Sequence, residues 1–284
     1  MPLPSLQPIR NEDLRGFCEF LHENLSRRIP ASVWAEAFQQ DWGVKKPNNG
    51  FLIRDAGGRI VAGIGAIYAE QMIRGQPERF CNITSWCVLE PYRSQSLRLA
   101  MAVVSQSGFH FTDLTPTPLA AGSLQFLKFK PMDGQVTVMP NLPWWAPGAR
   151  VVSDPGAIEQ MLAPRDAKVY RDHRSFPWLN HVAVGRPGNS CHVIYKKGVL
   201  KRIPCAVVLY ASDPDLFLRY RFTLGRYFLF RHGMASTRVE SRFLPRRPRL
   251  SAQVGGYYNK MFRSDSLGES DVQNLYTELM SLDQ

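Results

Sequence analysis

Val88-Leu89-Glu90-Pro91-Tyr92-Arg93-Ser94-Gln95-Ser96-Leu97-Arg98-Leu99-Ala100 carries the chain from an apolar strand through a proline break into a helix. The residues before it, Cys81-Asn82-Ile83-Thr84-Ser85-Trp86-Cys87, are rich in β-branched and aromatic types, and Pro91 ends regular pairing because it has no amide donor. Leu97, Ala100, Met101 and Val104 then recur at helical spacing, so the helix has an apolar side to lay on a sheet. The first amides of such a helix have no internal partner and stand at the positive end of its dipole, which favours an anion there. Arg93 and Arg98 add charge beside them, and the stretch is predicted to hold a phosphate group.

The elements around this turn follow from local pattern. Asn11 is placed to cap a helix whose apolar residues are Leu14, Phe17, Cys18, Leu21 and Leu25, and a second helix is expected over 31–42. Strands 51–54 and 59–68 flank Asp55-Ala56-Gly57-Gly58, a hairpin turn, and Gly75-Gln76-Pro77 turns the chain again into the strand that ends at Val88. Gly108 closes the phosphate helix, a strand is expected over 109–114, and a short helix over 118–129.

Helix, helix, hairpin, strand, phosphate helix, strand and helix is the order of the GNAT acyltransferase superfamily, which residues 5–145 resemble. That family's acyl-CoA pyrophosphate loop reads Gln/Arg-x-x-Gly-x-Gly/Ala. Arg93 matches its first position, whereas Ser96 stands where the family has glycine and Arg98 where it has glycine or alanine. Ser96 adds a Cβ at a place of close approach, yet its hydroxyl can donate to a phosphate oxygen. The resemblance implies a mixed α/β fold, a GNAT-like central sheet flanked by helices. It also implies acetyl-CoA or another acyl-CoA as co-substrate, held by Trp86, Cys87, Val88, Arg93, Ser94, Gln95, Ser96, Leu97 and Arg98.

After residue 140 the character changes. Pro140 to Gly148 is turn-rich and cannot be helical, and its paired Trp144 and Trp145 are expected to pack on a surface or a substrate. A short helix at 155–162 and an irregular stretch through Trp178 lead to strands at 191–195 and 203–210, a helix at 214–230 and a strand at 234–243. This order repeats the second half of the first unit, so the expected organisation is a GNAT-like domain over 1–145, a connecting segment over 146–180, and a second, degenerate GNAT-like unit over 181–284. Asp213 and Asp215 would repel a pyrophosphate at the second turn, which assigns the donor to the first unit.

At 284 residues and 44% hydrophobic the chain can bury a large core, and it holds no apolar run long enough to span a bilayer. The N-terminus lacks the plan of a signal peptide, so a cytoplasmic location is expected. Five cysteines at 18, 81, 87, 191 and 205 form no Cys-x-x-Cys spacing, which predicts buried reduced thiols, and with six scattered histidines no metal site is expected. The net charge of +11 concentrates late: eleven Arg and Lys between 215 and 264 meet only Asp215 and Glu240. Arg246-Arg247-Pro248-Arg249 is the most exposed-looking run, and aromatic residues interleave with the arginines of 215–230, so nucleic acid is a further candidate partner.

Acyl transfer to an amine needs a neutral nucleophile, a polarised carbonyl and a proton for the leaving thiolate. By resemblance the carbonyl is met by a backbone amide near Trp86 to Val88. The family's strand carboxylate is replaced here by Asn82, Thr84 and Ser85, and its helix tyrosine by Leu124 with Ser123 beside it. Glu90, Asp113 and Ser123 are the candidate substitutes, with His110 and Glu70 behind them. The reading is an acyl-CoA-dependent N-acyltransferase, with acetyl as the expected group, acting on a small-molecule or peptide amine. The alternatives are an inactive GNAT-fold protein that binds a polyanion or nucleic acid, and a tandem aminoacyl transferase that uses charged transfer RNA.

Overall fold

The turn at residues 55–58 forms as its residue types require: Asp55 Oδ1 accepts from the amides of Gly57 at 3.0 Å and Arg59 at 2.9 Å, and Gly58 adopts φ +81°. It joins two strands of a sheet in a computed structural model that describes residues 4–144, 149–256 and 259–283. The chain divides into two units. The first comprises Met1–Met132, Tyr258–Val272 and Tyr276–Gln284, and the second Asp133–Tyr257 and Gln273–Leu275.

In chain order the first unit contains β1 (Ser5–Pro8), α1 (Leu14–Asn24), α2 (Ala31–Gln39), β2 (Gly50–Arg54), β3 (Ile60–Ile73) and β4 (Gln76–Val88). A 3-10 turn (Glu90–Gln95), α3 (Ser96–Val104), β5 (His110–Asp113), α4 (Pro118–Phe126) and β6 (Lys130–Pro131) follow. The second unit has β7 (Gln135–Pro140), β8 (Arg150–Val152), α5 (Pro155–Met161), α6 (Pro164–His173), β9 (Asn180–Arg186) and β10 (Asn189–Leu200). It continues with β11 (Ile203–Ala211), α7 (Pro214–Arg219), α8 (Arg221–His232), β12 (Ser236–Glu240) and β13 (Ala252–Gly255). The chain then returns to the first unit with β14 (Met261–Arg263) and the short α9 (Glu278–Ser281).

Each unit is built on a seven-stranded mixed sheet, ordered β1-β2-β3-β4-β5-β14-β6 in the first and β13-β7-β12-β11-β10-β9-β8 in the second. The mixed α/β class and its helix-flanked sheets are those anticipated from the sequence. In each sheet a long antiparallel hairpin, β3–β4 or β10–β11, is followed by a helical crossover to a parallel neighbour, β5 or β12. Gly63 and Gly65 let α1 and α2 lie close on β3, since a Cβ there would stand 2.4 Å from the Phe17 ring and 2.5 Å from the Phe38 ring. The core of the first sheet gathers Ile53, Ile64, Ile83, Leu99 and Leu124, and that of the second Val182, Val193, Val208, Phe217 and Phe228.

Several elements differ from expectation for physical reasons. Helix α1 starts after Asp13, and Asn11 instead accepts from Asn49 Nδ2 at 3.3 Å. Residues 164–173, expected to be irregular, form α6, begun by Pro164 at a position that needs no amide donor. Lys201 and Arg202, both at positive φ, make a two-residue turn, so β10 and β11 run through the segment expected to be a loop. The helix expected over 214–230 breaks at Tyr220 into α7 and α8. The passage between units comes at residue 133 rather than 145, because β7 pairs with β12, and residues 259–272 and 276–283 complete the first unit. Trp144 is exposed, while Trp145 lies outside the described residues. The five cysteines are free and buried, and burial pushes Cys18 and Cys191 up to about 12 and Cys87 up to about 11.

Candidate functional site

In the first unit β4 and β5 pair in parallel only over Phe80–His110, Cys81–Phe111 and Asn82–Thr112. Beyond these residues β4 continues to Val88 while β5 ends at Asp113 and leads on to α4, so the two strands part. The parting opens a cleft of about 500 Å³ lined by Trp86 and Val88 of β4, Arg93 and Ser94 of the 3-10 turn, Ser96 and Leu97 of α3, and Thr117, Leu119, Ala120 and Ser123 around α4. A neighbouring hollow of about 360 Å³ runs along Leu97, Pro118, Leu119, Gly122, Ser123 and Phe126.

At the mouth of the parting β4 is irregular. The register against β3 passes from Gly65–Thr84 to Gly63–Cys87, so Ser85 and Trp86 together oppose Ile64. This is a β-bulge, with Ser85 at φ +55°. It takes these residues out of regular pairing with β3 and turns Trp86 to the cleft. The Trp86 indole N–H is buried there with no acceptor among the described residues, although buried donors are nearly always paired.

The phosphate turn is more closed than the sequence reading supposes. Residues 90–95 wind into the 3-10 turn, in which the Tyr92 amide donates to Leu89 O at 2.9 Å and the Ser96 amide to Arg93 O. Some of the donors expected at the start of α3 are therefore already engaged. Arg93 is held by Glu90 at 2.6 Å, both side chains being largely exposed. Arg98 donates to Pro4 O at 3.1 Å and to Gln95 Oε1 at 3.3 Å. Of the residues anticipated for the donor, Trp86, Val88, Arg93, Ser94, Ser96 and Leu97 line the cleft, whereas Gln95, Arg98 and the buried Cys87 do not.

The three catalytic candidates fall in different surroundings. Ser123 lines the cleft, its hydroxyl donating to Leu119 O at 3.3 Å, while Leu124 is buried in the core. Glu90 is exposed beside Arg93. Asp113 is buried away from the cleft lining, where burial and then the neighbouring Glu278 raise it well above the usual carboxylate range. Glu278, invisible as a site residue in the sequence, is fully buried: Oε1 accepts from the Leu114 amide at 3.0 Å and the Thr115 hydroxyl at 3.1 Å, and its own amide donates to Asn82 Oδ1 at 3.0 Å. His110 lies between Glu78 Oε2 at 3.0 Å and Ser264 Oγ at 2.8 Å, in a row across β4, β5 and the end of β14. Glu70 is exposed on β3. No cluster of three or more His, Cys, Asp or Glu suited to a metal ion occurs among the described residues, and no helix there is long and apolar enough to cross a membrane.

No family model matches this chain, and no curated protein matches it in sequence. Solved structures do match in shape. A GCN5-related N-acetyltransferase from Anabaena variabilis superposes with a TM-score of 0.60 at 11% identity, covering 92% of this chain and 72% of its own. A probable N-acyltransferase from Enterococcus faecalis gives 0.59 at 12% identity over 95% and 74%, and a putative acetyltransferase from Pyrococcus horikoshii 0.54 at 11% over 97% and 94%. At these identities the likeness is one of architecture: the chain has the fold of the GNAT N-acetyltransferase superfamily.

Proposed function

We propose that the chain is an acyl-CoA-dependent N-acyltransferase that holds its donor in the cleft of the first unit. The observation that carries this reading is the parting of β4 from β5 beside a bulge whose Trp86 lines the resulting cleft. A thioester donor fits the lining. The hydroxyls of Ser94 and Ser96 and the Arg93 guanidinium suit a pyrophosphate, and the walls of Leu97, Leu119 and Val88 suit an apolar arm. The bulge offers backbone amides to the thioester carbonyl as the amine attacks and negative charge grows on oxygen.

Ser123 is the hydroxyl of α4 on the cleft and is our candidate for relaying to the departing thiolate the proton that the attacking amine gives up as the new C–N bond forms and the C–S bond breaks. No carboxylate lines the cleft among the described residues, so the acceptor amine must arrive neutral, and the rate should rise with pH through the pKa of that amine. Acetyl is the proposed group, a small molecule or peptide the proposed amine, and the cytoplasm the proposed location. The second unit is proposed as a degenerate relative of the first that binds no donor.

Isothermal titration with acetyl-CoA and longer acyl-CoAs, with free nucleotide as control, tests the reading. Saturable binding that needs the pantetheine arm and weakens in Trp86→Phe supports it, and absence of binding by every acyl-CoA overturns it. The second reading, an inactive GNAT-fold protein that binds polyanions, draws on the Arg93–Glu90 pair and the closed 3-10 turn, which both oppose a pyrophosphate. Polyanion binding in the absence of any acyl-CoA binding would select it.

A further inference from the structure

Residues 133–257 hold 19 Lys and Arg against 8 Asp and Glu, whereas the rest of the chain has 16 of each. Part of this excess gathers round a small pocket in the second unit, lined among others by Leu142, Arg221, Phe222, Arg249 and Leu250. Arg221 lies over the Phe222 ring at 4.2 Å and donates to Leu218 O at 3.0 Å. Burial, and then the nearby Arg246, disfavour the charge on Arg221. Among the described residues Arg221, Arg246, Arg247 and Arg249 form no ion pair, although like charges brought together without an acid repel.

The same face displays large apolar side chains. Trp144 is 65% exposed with its ring 6.1 Å from that of Phe222, and Leu250 is 66% exposed. Leu250 also adopts φ +56°, a conformation unfavourable for leucine that no burial repays here. Guanidinium groups that meet backbone carbonyls or solvent but no acid, a displayed tryptophan and a strained, displayed leucine describe a surface completed by something both anionic and apolar. Tryptophan partitions to the boundary between headgroups and acyl chains, and arginine forks match phosphate oxygens. A single-stranded nucleic acid asks instead for open aromatic faces. Arg221 covers one face of Phe222, and Leu250 has no ring to offer.

We propose that this face of the second unit docks on an anionic phospholipid bilayer, with Trp144 and Leu250 entering the headgroup boundary and Arg246, Arg247 and Arg249 meeting the lipid phosphates. The contact is peripheral and independent of the donor cleft, and apolar insertion with a basic cluster supplies the two signals that lasting attachment requires.

Cosedimentation of the full chain with phosphatidylcholine vesicles, with and without phosphatidylserine, tests it. Binding is expected only to the anionic vesicles and should weaken with salt. Arg246→Ser with Arg247→Ser and Arg249→Ser should lower the partition coefficient roughly a hundredfold. Leu250→Gly, which suits positive φ and so preserves the fold, should lower it several-fold. Lys201→Ser with Arg202→Ser, at the β10–β11 turn, should have a much smaller effect than Arg246→Ser with Arg249→Ser. Equal binding to neutral vesicles, equal loss from the two charge-matched double variants, or no vesicle binding alongside binding of a single-stranded RNA oligonucleotide would each overturn the proposal.

Discussion

The two units share a plan, a mixed seven-stranded sheet with one helical crossover to a parallel strand, yet they differ in charge and in what they bury. The first has balanced charge outside residues 133–257 and encloses the acids Asp113 and Glu278. The second carries the whole net charge and encloses imidazoles: His173 and His192 are buried, and His181 Nδ1 lies 3.2 Å from His192 Nε2. His181 Nε2 and His192 Nδ1 have no partner among the described residues. A common backbone plan therefore leaves electrostatics free to diverge, because a sheet's hydrogen bonds are indifferent to the side chains on its outer faces and loops.

The largest way to separate the units is through the second core. Phe228 is fully buried with its ring 4.8 Å from Tyr195, and Phe228→Ala should cost about 3–5 kcal/mol in urea denaturation. Acyl-CoA affinity measured under native conditions should be unchanged if the donor site belongs to the first unit alone.

Titration should divide the units by sign. Burial holds His173 and His181 down at about 4, against 6.5 for a free imidazole, and His192 well below it. Below 6.5 the unfolded chain takes up protons that the fold refuses, so this stability is whole above that pH and is lost as pH falls towards 4, by about 3 kcal/mol for His173. The buried acids act oppositely, since a raised carboxyl contributes most in acid and its contribution is lost as pH rises through the folded value. Thermal melts of wild type and His173→Gln from about pH 7 to about pH 4.5 read the first effect. Parallel acid sensitivity in the two proteins would remove His173 from the account.

Smaller effects lie at the cleft. Arg93→Glu should weaken acyl-CoA about tenfold while the protein stays folded, and unchanged affinity would remove Arg93 from the donor site. Glu90→Gln releases Arg93 from its 2.6 Å partner and should tighten acyl-CoA by a few-fold, the least of these changes because the pair is solvent-exposed. A weakening would mean that Glu90 positions Arg93 for the ligand instead of competing for it.

What could be read along the chain and what could not divide by range. The β-branched run into Val88, Pro91 and the spacing of Leu97, Ala100, Met101 and Val104 announce strand, break and helix, and the lining residues from Trp86 to Leu97 follow because neighbours in sequence share one turn. The 55–58 turn and the inward residues Leu14, Phe17, Cys18 and Leu21 of α1 are local in the same way, whereas Leu25, expected in that row, lies past the helix end and is exposed. The bulge at Ser85 was not legible, since it exists only against β3, and the capture of Arg93 by Glu90 depends on how residues 90–95 wind. Glu278 meets Leu114 and Thr115 across more than 160 residues, and β14 joins a sheet begun near the N-terminus. The sequence by itself determined the local elements and the turn beside the cleft, because those rest on propensity and periodicity within a few residues, but not the face that α3 buries, where Leu99, Ala100 and Val103 go inside and Met101, expected there, is exposed. Only the tertiary structure decided which strands part, which unit receives residues 135–140, 261–272 and 276–281, and which carboxyls lose their solvent, because pairing and burial are settled between segments distant in the chain.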